Sequence, residues 1–187
     1  LASVTFNNRG GEFGGNQLSY LNVGANSLLT LSGATPFTAT SNNPYLISEV
    51  ANGRVILTSG AKTFDIDAIK IPGVSTPVTD ILPTLNISSI ITGTGVSVTK
   101  TGNGLLQLSG LNEFTGGLTV SAGGLVVGAS STPVQGGNGI LGGPLGTGTV
   151  SMAVGTRLLV GQGSYAVGNA ISFAGVPLFD ARDTGAA

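Results

Sequence analysis

Residues 91–128 read ITGTGVSVTKTGNGLLQLSGLNEFTGGLTVSAGGLVVG, and the fold follows from them. The apolar runs are short: Val96-Ser97-Val98, Leu105-Leu106-Gln107-Leu108, Leu118-Thr119-Val120 and Leu125-Val126-Val127. Runs of three or four residues are too short for helices, and their β-branched members favour a pleated surface. Gly102, Gly104, Gly116-Gly117 and Gly123-Gly124 separate them, at positions where a positive φ lets the chain turn at little steric cost. Strands this short with turns this frequent predict the rungs of a solenoid.

The same theme extends both ways. Val4-Thr5-Phe6, Leu18 to Val23 and Leu28-Leu29-Thr30-Leu31 are strand runs divided by Asn and Gly. Residues 34–44, richer in Thr, Asn and Pro, read as a surface excursion. Strand runs resume at Tyr45-Leu46-Ile47, Arg54 to Thr58, Thr63 to Ile66 and Ala68 to Ile71. Residues 72–83 (PGVSTPVTDILP) hold three of the eight prolines, and Pro cannot donate to a ladder, so they read as a loop. A second, Gly-rich loop spans 129–143, and strand runs return at 148–154, 157–160 and 165–173. No window sustains a 3.6-residue apolar period behind a capping signal, so essentially no helix is expected.

Turn clusters every ~8–12 residues would also suit a sandwich or barrel. Two features favour a solenoid. The segment 102–110 (GNGLLQLSG) echoes 25–33 (ANSLLTLSG), and only 8% of residues are charged, where a sandwich exposes one full face of each strand. In a stacked coil, Asn, Ser and Thr can align with neighbours above and below in place of charge. At ~20–25 residues per three-strand coil the 187 residues make about eight coils, and at ~4.8 Å per coil a body about 40 Å long. The expectation is an all-β, parallel β-helix forming one unit over 1–187. It divides into irregular coils over 1–60, the best repeat over 85–128, the loop at 129–143 and further coils over 144–187.

Composition narrows function. The formal net charge is −1 and the seven Lys and Arg are scattered from Arg9 to Arg182, which leaves no basic stripe for nucleic acid. No apolar run approaches the ~18 residues that cross a membrane as a helix, so no direct insertion is expected. Cys and His are both absent, which removes disulfides, thiol nucleophiles, His bases and the usual zinc ligand sets. The chain opens at Leu1 without an initiating Met and closes on Asp183-Thr184-Gly185-Ala186-Ala187, so we read it as part of something larger.

Residues 98–128 resemble the passenger-associated repeat of bacterial autotransporters, also described as the autotransporter-associated β-strand repeat. That pattern runs Leu-Thr-Lys-x-Gly-x-Gly-Thr-Leu-x-Leu-Ser-Gly, then Asn-Thr-Tyr-Thr-Gly-Gly-Thr-x-Val, then Gly-x-Leu-x-Val. Here it reads Val98-Thr99-Lys100-Thr101-Gly102-Asn103-Gly104-Leu105-Leu106-Gln107-Leu108-Ser109-Gly110. Asn112-Glu113-Phe114-Thr115-Gly116-Gly117-Leu118-Thr119-Val120 and Gly124-Leu125-Val126-Val127-Gly128 follow. Residues 145–150 and 169–173 look like the next coils, and 60–66 and 85–88 like what precedes; Glu113, Phe114 and the 129–143 insertion depart from the pattern. The resemblance implies a right-handed parallel β-helix in a passenger secreted to, or displayed on, a Gram-negative outer membrane. It defines a structural repeat and transfers no catalytic residue.

Candidate chemistry is sparse. Asp65 and Asp67 share a strand face, with Asp80 in the nearby loop; they could hold Ca²⁺ or act as a glycosidase pair, but read more simply as outward carboxylates. Asp180, Arg182 and Asp183 read as the solvated start of another coil. The serines have no His partner for a triad, and the Gly runs lack the Lys and helix of a phosphate loop. Thr-x-Thr pairs at 92–94, 99–101 and 147–149 are the material of a flat ice-binding face, but their irregular spacing argues against a repeated ladder. Phe64, Phe114 and Phe173 are expected in the core, and Tyr20, Tyr45 and Tyr165 as packing residues.

The expected function is therefore a non-catalytic spacer, adhesin or filament scaffold without cofactor, metal or catalytic site. It would self-associate, or bind surface glycan or host protein through residues 34–44, 72–83 and 129–143. The alternatives are a β-helix polysaccharide-degrading enzyme, or the inert scaffold of a longer passenger.

Overall fold

A computed structural model describes residues 1–8, 19–43, 46–74, 82–137, 139–176 and 178–181. Strands and turns account for the regular structure there, and no helix occurs among the described residues. The chain runs through three sheets in turn. β1 (Val4–Asn8) lies in sheet A, β2 (Ser19–Asn22) in sheet B and β3 (Leu28–Leu31) in sheet C. The cycle repeats with β4 (Phe37–Ser41), β5 (Ser48–Ala51) and β6 (Arg54–Leu57), then with β7 (Lys62–Ile69), β8 (Leu85–Ile87) and β9 (Ile90–Thr92). From there sheet C stops, and the chain alternates between A and B through β10 (Val98–Thr101), β11 (Leu105–Leu108), β12 (Leu118–Val120) and β13 (Gly124–Val127). After the antiparallel pair β14 (Thr132–Pro133) and β15 (Ile140–Gly142), the alternation resumes with β16 (Val150–Met152), β17 (Arg157–Val160), β18 (Ile171–Phe173) and β19 (Leu178–Ala181). Sheets A and B each hold seven strands, every pairing in A, B and C is parallel, and the architecture is that of stacked sheets consistent with a β-solenoid.

Register makes the core. Along sheet A one inward column runs Val4, Phe37, Phe64, Lys100, Val120, Met152, Phe173. In sheet B the corresponding column is Ser48, Leu85, Leu106, Leu125, Leu158. Period-two alternation sends these side chains to one face, where the apolar ones form a single cluster with Val55 and Ile91 of sheet C. Phe37 and Phe64 meet edge to face with centroids 5.1 Å apart. Phe64 and Phe114 are fully buried as expected, whereas Phe173 is only partly covered.

Several sequence expectations need correction. The excursion expected over 34–44 is not one across its described residues, 34–43: β4 occupies their centre, with Phe37, Ala39 and Ser41 buried. Small inward residues disguised its alternation. The two runs expected over 63–71 are one eight-residue strand, Lys62–Ile69, with a register shift opposite Ala39 and Ser41; of the run expected at 45–47, Tyr45 lies outside the described residues, and Leu46 and Ile47 precede β5. The loop over 129–143 carries the β14–β15 pair, and of the run at 165–173 only the last three residues form a strand.

Candidate interaction surface

Outward positions on sheet A align as Thr63, Thr99, Thr119, Ser151 and Ser172 on successive strands, a hydroxyl column that the irregular Thr-x-Thr spacing had concealed. The Ser172 hydroxyl donates to Ser151 Oγ at 3.3 Å. Asp65 sits in the neighbouring column and accepts from Thr101 Oγ1 at 2.9 Å, while Asp67 pairs with Lys70 at 3.0 Å. Each carboxylate thus has its own partner, and among the described residues no group of three metal-ligating side chains forms. Asp80, Arg182 and Asp183 lie outside the described residues, as does the side chain of Asp180.

Sheet B presents a different outer face. Asn86 Nδ2 and Ser88 Oγ both donate to Glu49 Oε1, at 3.1 and 2.8 Å, and Ser109 Oγ donates to Asn86 Oδ1 at 3.0 Å. Further along, the ladder becomes apolar: Leu105, Val126 and Leu159 point away from the main core yet are 0–1% exposed. Gly124 makes room for this second cluster, because a Cβ there would stand 2.5 Å from Leu105 Cδ2. On sheet C, Arg54 reaches from β6 past Ile90 of β9 to Glu113 with two bonds, at 2.7 and 3.2 Å. The Glu113 hydrogen bond, and then its charge, raise the Arg54 pKa above its ordinary value. Glu113, a departure from the repeat pattern, thus has a defined partner.

The corners hold the residues that composition did not flag. Lys100 is fully buried, and its ammonium donates to the carbonyls of Gly102 (2.5 Å), Ala122 (3.0 Å) and Ile66 (3.4 Å), which belong to three successive passes of the chain. Gly102 (φ +72°) and Gly123 (φ +70°) are required there; a Cβ at 123 would come within 2.7 Å of the ammonium itself. Lys62, 3% exposed, donates to Ser32 O, Gly33 O and Thr58 Oγ1 at 3.1–3.3 Å. Where sheet C ends, buried Asn112 takes over the connection. Its Oδ1 accepts from Ile91 N–H at 2.8 Å and its Nδ2 donates to Pro144 O at 2.7 Å. A readable signal existed for both lysines: each is in phase with inward neighbours, Val98 for Lys100 and Phe64 for Lys62.

Of the loops expected to bind partners, 75–81 lie outside the described residues, leaving Val74 and Leu82–Pro83 as visible ends. The β14–β15 excursion is tied down: Ser131 N–H donates to Ala166 O at 2.8 Å, and Ser131 Oγ accepts from Gly168 N–H at 3.2 Å. Tyr20 is half exposed rather than packed, and its hydroxyl accepts from Asn52 Nδ2 at 3.3 Å. Tyr165 packs against the core and donates to Gln162 O, and Tyr45 is outside the described residues. No described helix is long and apolar enough to cross a membrane.

The chain matches no protein-family model, no curated protein and no solved structure.

Proposed function

We propose that the chain is a non-catalytic structural and adhesive module, a closed right-handed parallel β-helix. In this reading it serves as a spacer or filament-forming scaffold outside a Gram-negative cell, in keeping with its resemblance to autotransporter passengers. The observation that carries the reading is the unbroken parallel pairing of seven strands in each of two sheets, clamped at their corners by buried lysines. A stack of this kind transmits load along its axis and grows by adding coils, because each coil buries its apolar stripe on its neighbours. Six inter-strand steps of ~4.8 Å give the described stack a length of about 29 Å. Partners are further coils, other copies, or surface glycans and proteins met by the 72–83 and 129–143 segments.

Light scattering across a concentration series, with negative-stain imaging of the same samples, tests this. Rods that lengthen with concentration support a filament subunit; a monomer of fixed length moves binding to the two excursions, to be tested on glycan arrays. Release of reducing ends from a polysaccharide panel, lost in Asp65→Asn or Asp67→Asn, overturns the non-catalytic reading in favour of a degrading enzyme.

A further inference from the structure

The chain contains three Asn-Gly pairs, at 52–53, 103–104 and 138–139, and the fold treats the first two in opposite ways. Gly104 is buried, and its N–H donates to Ile66 O at 2.9 Å. Gly53 is half-buried, and its N–H has no hydrogen-bond partner among the described residues. The carbonyl of the same Asn52–Gly53 peptide is gripped: Ser89, 1% exposed and on the next pass, donates its hydroxyl to Asn52 O at 2.5 Å. Asn52 itself is exposed and is the one described non-glycine residue with positive φ, +60°.

These features have a chemical consequence. Attack of a peptide nitrogen on the preceding Asn side chain requires that nitrogen to lose its proton, and the resulting anion places most of its charge on the peptide oxygen. A buried hydroxyl already donating to that oxygen stabilises the anion as an oxyanion donor does. A nitrogen held in a hydrogen bond, as at Gly104, is withheld from attack.

We propose that Asn52–Gly53 is a self-modification site at which the fold promotes succinimide formation. The Gly53 nitrogen forms a bond to Asn52 Cγ, the Cγ–Nδ2 bond breaks, and ammonia leaves carrying the Gly53 proton. Water then opens the ring at either carbonyl, leaving at this position an ordinary aspartyl residue or an isoaspartyl link that adds a methylene to the main chain. No oxidant, metal or second protein is required.

The product alters the surface. Asn52 Nδ2 donates to Asn22 Oδ1 at 3.0 Å and to Tyr20 OH, ties that bind the first pass to the second. A carboxylate cannot donate, so modification cuts the tie to Asn22 Oδ1 and faces a negative charge toward it, while Tyr20 keeps a tie only by turning its hydroxyl to donate. The corner beside Tyr20 is thereby loosened with age, with the loss of one amide and the gain of one negative charge.

The test is storage of the intact chain in mildly alkaline buffer, with amide loss followed by peptide mass spectrometry and isoaspartate by enzymatic methylation. Asn52 converts in the folded chain while Asn103 is retained, and both convert at similar rates in urea, where only local sequence acts. Ser89→Ala slows the folded-state reaction at Asn52 about tenfold, equivalent to ~1.4 kcal/mol for one charge-assisted hydrogen bond. It leaves the rate in urea unchanged, a split that a loosened corner would not produce. Ser89→Thr, which retains the hydroxyl, restores the folded-state rate. Equal conversion of Asn52 and Asn103 in the folded chain, or a Ser89→Ala rate equal to or above that of the parent, overturns the proposal.

Discussion

Replacing Lys100 by Met keeps an apolar stem that reaches as far as the lysine Cε while removing the ammonium. Three carbonyls then face the corner without it. Ile66 O retains the Gly104 N–H at 2.9 Å, so its loss is small. Gly102 O and Ala122 O have no other donor among the described residues. A buried polar group left unsatisfied costs ~1–3 kcal/mol, so two of them set a gross loss of about 2–6 kcal/mol. Against this stands the relief of returning a buried charge to neutrality, which in ion pairs offsets much of the interaction. The balance predicts a net destabilisation of about 2–4 kcal/mol for Lys100→Met. For a chain of this size, at ~2–4 °C per kcal/mol, Tm falls by about 5–15 °C. The assay is thermal and urea unfolding followed by circular dichroism, with Lys70→Met as the control. Lys70 is exposed and its ion pair is with Asp67 on its own pass, so its replacement stays within about 0.5 kcal/mol. A Lys100→Met protein as stable as its parent, or more so, would refute the reasoning: the clamp would then contribute nothing beyond its own burial cost.

Other outcomes follow from the same geometry. Asn112→Ala leaves Ile91 N–H and Pro144 O without side-chain partners in a buried corner and destabilises by about 2–4 kcal/mol in urea titration. Gly102→Ala forces a Cβ into a φ of +72° and against the Ile66 carbonyl, and lowers Tm by more than Gly60→Ala, where a Cβ at φ +95° meets nothing. A double-mutant cycle on Arg54→Ala and Glu113→Ala gives a coupling below ~1 kcal/mol that shrinks with salt, because both side chains are 43% exposed. Since the raised Arg54 pKa keeps its stabilisation present up to strongly alkaline pH, that coupling has no Arg-dependent pH profile across the neutral range, measurable by repeating the cycle at several pH values.

Much of the fold was legible because the chain repeats one simple instruction: a short apolar run, then a residue that can turn. Leu105-Leu106-Gln107-Leu108 and Leu118-Thr119-Val120 became β11 and β12 at those bounds. What escaped was the direction in which residues face. Leu105-Leu106 and Val126-Val127 are buried on both sides of sheet B, so their strands show no alternation, as parallel sheets covered on both faces do. Phe37-Thr38-Ala39-Thr40-Ser41 alternates strictly, but Ala39 and Ser41 carry too little apolar surface to announce an inward face. The lysines were hidden by the habit of reading charge as surface; only the carbonyls supplied by other passes make their burial possible, and those contacts are far apart in sequence. For the same reason Ser89 and Asn52, 37 residues apart, gave no sign of meeting.

Lys100 joins carbonyls from the third, fourth and fifth passes, Asn112 bridges the third to the segment after β13, and Arg54 spans from the second to the fourth. These ties overlap, and each skips or brackets a strand that backbone pairing alone would let go singly. Pulled from either end, the chain therefore peels strand by strand only as far as the overlapping region. There it must break several ties at once, so the middle of the stack yields as one block, like a laminate whose central plies are stitched through rather than glued.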